Sequence, residues 1–158
     1  MPKKPKRPAA EITAHERAVR LLARREHSAL ELRHKLRQRG HEAAEVETEL
    51  DALQARGWQS DERFAESRVN ARIGAGQGPL KIRAELQAAG IAESNAREAL
   101  AEAEVDWDEQ IRALHQRRFG GPPEGPKEWQ RQFRFLASRG FTSEQIHRVL
   151  RDCPGFDD

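Results

Sequence analysis

Leu36-Arg37-Gln38-Arg39-Gly40, Leu86-Gln87-Ala88-Ala89-Gly90 and Leu136-Ala137-Ser138-Arg139-Gly140 are one signal written three times, with the glycines 50 residues apart. Ten residues after each glycine stands a leucine: Leu50, Leu100 and Leu150. One helical turn before those leucines are Val46, Ala96 and Ile146, on the same helix face. Each copy therefore reads as a helix closed by Leu-x-x-x-Gly, a tight turn and a second amphipathic helix. Glycine suits the stop because the residue after a helix often takes positive φ, which a Cβ opposes. The chain is expected to be all-α, three tandem three-helix repeats forming an elongated, curved array.

Working outward, capping signals place the other helices. Thr13-Ala14-His15-Glu16 opens a first helix with Ala18, Leu21 and Leu22 on its buried stripe, and Ser28-Ala29-Leu30-Glu31 opens a second. Ser60-Asp61-Glu62 starts a fourth helix, along which Ala65, Val69 and Ile73 follow one face. Pro79, after Gly74-Ala75-Gly76-Gln77-Gly78, sits at a first helical position. Asp106-x-x-Glu109 and Thr142-x-x-Gln145 cap helices of the last repeat. The expected boundaries are a disordered basic tail at 1–10, repeats at 11–59, 60–105 and 106–152, and an acidic tail at 153–158.

Charge is segregated although the net charge is only +2. Residues 11–40 carry +4 and 111–151 carry +6, whereas 41–60 carry −4 and 91–110 carry −6. Such a bipolar surface fits an anionic or mixed-charge partner. The single cysteine, Cys153, leaves no intramolecular disulfide and no cysteine-based zinc cage. No apolar run approaches a membrane span or a signal-peptide core, so a cytoplasmic chain with no membrane contact is expected.

Catalytic and metal-binding constellations are not apparent. His41-Glu42-Ala43-Ala44-Glu45 has glutamate where a zinc-protease helix would place its second histidine. Gly74, Gly76 and Gly78 follow a helical segment and precede no Lys-Ser/Thr pair, unlike a phosphate-cradling loop. No enzyme, catalytic residue, cofactor or metal is expected.

The chain resembles the RecX family, bacterial regulators of the RecA recombinase, over about residues 15–151. The resemblance is carried by Leu22-Ala23-Arg24-Arg25, Ser28, Glu31-Leu32-Arg33-x-Lys35-Leu36, Gly57-Trp58-Gln59-Ser60-Asp61-Glu62-Arg63-Phe64-Ala65-Glu66 and Arg72. It continues through Gly76-x-Gly78, Glu85-Leu86, Gly90-Ile91 and Arg134-Phe135-Leu136-x-x-Arg139-Gly140-Phe141. Trp58 stands where the family usually has tyrosine, and Gln59-Ser60 replaces a more acidic or apolar pair.

That resemblance implies a monomeric, non-enzymatic modulator in DNA recombination, repair and the SOS response. It would lodge along the groove of the RecA filament on DNA and suppress strand exchange, ATPase and coprotease activity. The residues expected to carry partner or DNA contact form three clusters. They are Arg24, Arg25, Arg33 and Arg37; then Phe64, Arg68, Arg72, Lys81 and Arg83; then Arg117, Arg118, Arg131, Arg134 and Arg139. A second expectation is a protein that binds single- or double-stranded DNA directly, since three-helix units also build helix-turn-helix readers. Acidic third helices argue against that reading, because phosphate would repel them.

Overall fold

The structure is a computed structural model that describes residues 12–151. The expected tails at 1–10 and 153–158 lie outside the described residues, as do the outermost residues, 11 and 152, of the first and last expected repeats. Among the described residues there are nine α-helices and no strand. They are α1 (Ala14–Arg24), α2 (Ala29–Gln38), α3 (Ala43–Ala55), α4 (Asp61–Gly74), α5 (Pro79–Ala88), α6 (Glu93–Glu102), α7 (Trp107–Phe119), α8 (Pro126–Ser138) and α9 (Ser143–Arg151). No described helix is long and apolar enough to cross a membrane.

Caps start the helices where the sequence signals them. Thr13, Ser28, Ser60 and Asp106 each accept a hydrogen bond from the backbone N–H three residues on, at 3.1–3.2 Å. Thr142 and Gln145 cap reciprocally: the Thr142 hydroxyl accepts from the Gln145 N–H, and the Gln145 side chain accepts from the Thr142 N–H. Gly40, Gly90 and Gly140 end α2, α5 and α8 with φ of +89°, +78° and +94°. The next residues, His41, Ile91 and Phe141, are buried.

The described chain divides into two compact units, residues 12–64 with 89–91 and residues 65–88 with 92–151. In the first unit Ala18, Leu32, Leu36, Val46, Leu50 and Leu53 are buried together. Leu21 and Leu22 are only half-buried, contrary to the buried stripe expected of α1; Ala14 and Ala18 are that helix's buried residues. Polar contacts close the unit. The Ala29 N–H donates to Asp61, the Gln59 amide donates to the His27 carbonyl and to Asp61, and Arg63 pairs with Glu26. These contacts bring the start of α4 into the unit.

In the second unit Ile111, Leu114, Leu136, Phe141, Ile146, Val149 and Leu150 form the core, with Trp107, Trp129, Phe133 and Phe135 packed around it. Val69, Ile82, Leu86, Ala96 and Ala99 are also buried, whereas Ile73 is half-buried. Between α7 and α8 lies a buried polar pair, His115 Nε2 and Gln132 Oε1 at 2.7 Å. Arg118 is exposed, with its guanidinium near two aromatic rings.

Candidate interaction surface

The three basic clusters have different fates. In the first, Arg24 is exposed with no partner among the described residues. Arg25 donates to the Glu26 carbonyl and to Glu31, at 2.8 and 2.7 Å. Arg33 forks onto Glu47, and this hydrogen bond holds the Glu47 carboxyl below its usual range. Arg37 donates to the His41 carbonyl at 3.1 Å.

In the second cluster, Phe64 is only 2% exposed. It shares a helix row with Arg68 and Arg72 but is a core residue, so its ring is removed from the candidate surface. Arg68 and Arg72 both bind Glu85, each at 2.7 Å, with Arg72 Nε adding a bond of 2.9 Å. Burial pushes the Glu85 carboxyl up, but the bonds from Arg72 and Arg68 outweigh it and leave the group below its usual range. Arg83 reaches Glu93 at 3.3 Å. Lys81 is exposed, its Cβ packed beside Gly140.

The third cluster is built on aromatic rings. The rings of Phe119, at the end of α7, and Phe135, on α8, meet edge to face with centroids 5.3 Å apart. The Arg118 guanidinium lies 5.3 Å from both centroids, Arg139 lies 5.1 Å from Phe135, and Arg131 lies 5.8 Å from Phe119. Arg131 has a loose contact with Glu128 at 3.7 Å. Arg118 and Arg139 have no carboxylate partner among the described residues, and Arg117 and Arg134 are exposed. Helical spacing explains the set: Arg131, Phe135 and Arg139 stand four residues apart, one above the next.

Sequence reasoning named these arginines but missed the two phenylalanines. The i, i+4, i+8 pattern of Arg131, Phe135 and Arg139 was the available signal. It also missed Trp58, which is 47% exposed with the Arg56 guanidinium 5.2 Å from its ring centroid. Among the described residues no group of three His, Cys, Asp or Glu side chains is placed to hold a metal ion.

Comparison with known proteins adds lineage to this geometry. Family models for the first, second and third three-helix domains of RecX match residues 14–53, 60–100 and 104–150. A protein named "Regulatory protein RecX" from Halorhodospira halophila is 46% identical over 139 residues, covering 87% of this chain and 86% of that one. One of the same name from Chromohalobacter salexigens is 45% identical over 140 residues, covering 89% and 92%. A solved structure described as "Crystal structure of regulatory protein RecX" superposes with a TM-score of 0.73 at 27% identity, covering 88% of this chain and 70% of that one. RecX from Lactobacillus salivarius also superposes at 0.73, covering 88% and 93%; at 20% identity that likeness bears on fold alone.

Proposed function

The chain belongs to the RecX family, and on that premise we propose that it modulates RecA, mainly as an inhibitor. It binds the RecA filament on DNA along its groove and suppresses recombinase, ATPase and coprotease activity. It acts as a cytoplasmic monomer and without catalysis of its own. The observation that carries this reading is the match of all three three-helix domains in order, together with 46% identity to a regulatory protein over 87% of the chain. The uncompensated arginines on α7 and α8 support it, because guanidinium forks fit the carboxylates of protein and the phosphates of DNA alike.

The test is ATP hydrolysis and strand exchange by preformed RecA filaments. Substoichiometric protein lowers both rates on this reading; unchanged rates at equimolar protein would falsify it. A helix-turn-helix mode of DNA reading is the weaker alternative. Its reading helix in the last repeat would be α9, where Arg148 is paired with Asp108 and Glu144.

A further inference from the structure

We propose that Arg118, Arg131 and Arg139, seated on Phe119 and Phe135, form a phosphate-binding site for a single strand of nucleic acid. The site works in the chain alone, so the inference goes beyond the RecA reading and does not depend on it.

The first support is how the arginines are engaged. Arg25, Arg33, Arg68, Arg72 and Arg83 each reach a glutamate of the same chain. A guanidinium held by a carboxylate has its charge already compensated and fewer donors left for another anion. Arg118 and Arg139 have no such bond among the described residues, and Arg131 has only its loose one.

The second support is the way these three are held. Each lies within 6 Å of a ring centroid, inside the range of cation–π attraction. A ring beside a guanidinium supplies no conventional acceptor, so the N–H groups keep their capacity to donate to an anion. The rings thus fix the side chains without using their donors, so less rotamer entropy is lost on binding. Arg139 is fixed through its backbone as well, since its carbonyl accepts from the Gly78 N–H at 2.7 Å. Three cations gathered around two touching rings repel one another, and a bound anion relieves that repulsion.

The third support is extent. From Lys127 to Arg139 the chain rises about 18 Å along α8 and its cap at 1.5 Å per residue, and Arg134 lies between. A nucleic-acid strand carries one charge per nucleotide, so a run of phosphates can meet such a row without special sequence. A peptide would need an unbroken run of acidic residues to do the same. Bases can stack on guanidinium planes and aromatic rings, which favours a strand with unpaired bases. The arginines lie on α7, α8 and its cap rather than on the third helix of the repeat, which disfavours insertion into a duplex groove.

The experiment is fluorescence anisotropy of a labelled oligothymidine with the full chain, without RecA, across a series of salt concentrations. Three neutralised phosphates give a slope of log K against log salt near −2, at about 0.7 per phosphate for a single strand. Arg118→Gln, Arg131→Gln and Arg139→Gln should each make the slope shallower by about 0.7. The triple variant should lose at least tenfold in affinity at low salt, and the triple Arg→Lys variant should keep the slope but bind more weakly. Arg68→Gln with Arg72→Gln should bind as the parent does. Circular dichroism checks that each variant is folded, and the single variants decide the matter if the triple is not. Parental affinity and slope in folded variants would overturn the site. So would a same-length duplex binding more tightly than the strand, or polyglutamate of equal charge competing as well as the oligothymidine.

Discussion

Gly78 lies against Gly140 so closely that a Cβ on Gly78 would fall 2.5 Å from the Gly140 carbonyl carbon and 2.6 Å from its oxygen. The approach lets two helix ends complete each other. The N-terminus of α5 has backbone donors without intrahelical partners, and the C-terminus of α8 has acceptors in the same state. The Gly78 N–H donates to the Arg139 carbonyl at 2.7 Å and the Leu80 N–H to the Gly140 carbonyl at 2.9 Å. A similar close approach occurs fifty residues earlier, inside the first unit, where a Cβ on Gly90 would lie 2.9 Å from Leu30 Cβ. The Gly40 turn has no neighbour within 4 Å of that position.

Gly40, Gly140 and Gly78 should therefore differ under substitution. Gly40→Ala meets only the positive-φ penalty, about 1–2 kcal/mol. Gly140→Ala meets the same penalty and also places its Cβ 2.4 Å from Lys81 Cβ and 2.6 Å from Lys81 N, adding about 1–3 kcal/mol of overpacking. Gly78→Ala should also exceed Gly40→Ala, because the atoms it meets are backbone. Urea unfolding of the three variants gives the order, and equal losses would contradict it.

Glu85, gripped by Arg68 and Arg72, should help stability at neutral pH and fail in acid. Its carboxyl is held below the usual value in the folded chain, so the contribution is present above the unfolded value. It is lost as pH falls through the folded value. The group is substantially solvated, which limits the effect to about 1 kcal/mol. Glu85→Gln should lower the melting temperature at pH 7 and flatten the acid limb of the stability curve below the ordinary carboxylate range. An unchanged acid limb would show that Glu85 does not carry it.

His27 should act on the same curve at higher pH. It is 1% exposed, and burial pushes its imidazole below the usual value of 6.5. The Lys35 ammonium sits 3.1 Å from Nε2 and the Arg25 carbonyl 3.1 Å from Nδ1. That network assigns a neutral ring which donates through Nδ1 and accepts through Nε2. The unfolded chain takes up a proton near pH 6.5 and the folded chain only lower, so stability falls as pH drops through that window. NMR titration of the His27 ring should give a midpoint below 6.5, and a midpoint at or above it would refute the assignment.

Helix ends were legible because each rests on local chemistry: a hydroxyl or carboxylate three residues before an N–H, or a glycine at positive φ. Thr13, Ser28, Asp106 and Thr142 all cap as their spacing indicates. The candidate surface was less legible, because whether an arginine is engaged depends on partners far along the chain. Arg33 is separated from Glu47 by 14 residues and Arg72 from Glu85 by 13, across turns whose geometry the periodicity leaves open. The buried pair of His115 and Gln132, 17 residues apart, was hidden for the same reason.

Phe64 and Trp58 give a last contrast between a side chain that holds the fold and one that is presented. Phe64 shares a helix row with Arg68 and Arg72, and as a contact residue it would leave stability unchanged on truncation while weakening filament binding. At 2% exposure, Phe64→Ala should instead cost about 3–5 kcal/mol, enough to lower the melting temperature by many degrees. On the proposed function, any loss of RecA regulation should then follow the fraction unfolded and recover on cooling. Trp58 is 47% exposed, so Trp58→Ala gives up mainly its contacts with Arg56 and His15. It should cost about 1 kcal/mol or less. Thermal melts followed by circular dichroism, paired with filament binding well below each melting temperature, separate the two cases. A Phe64→Ala protein that melts as the parent does but no longer binds the filament would return Phe64 to the interface.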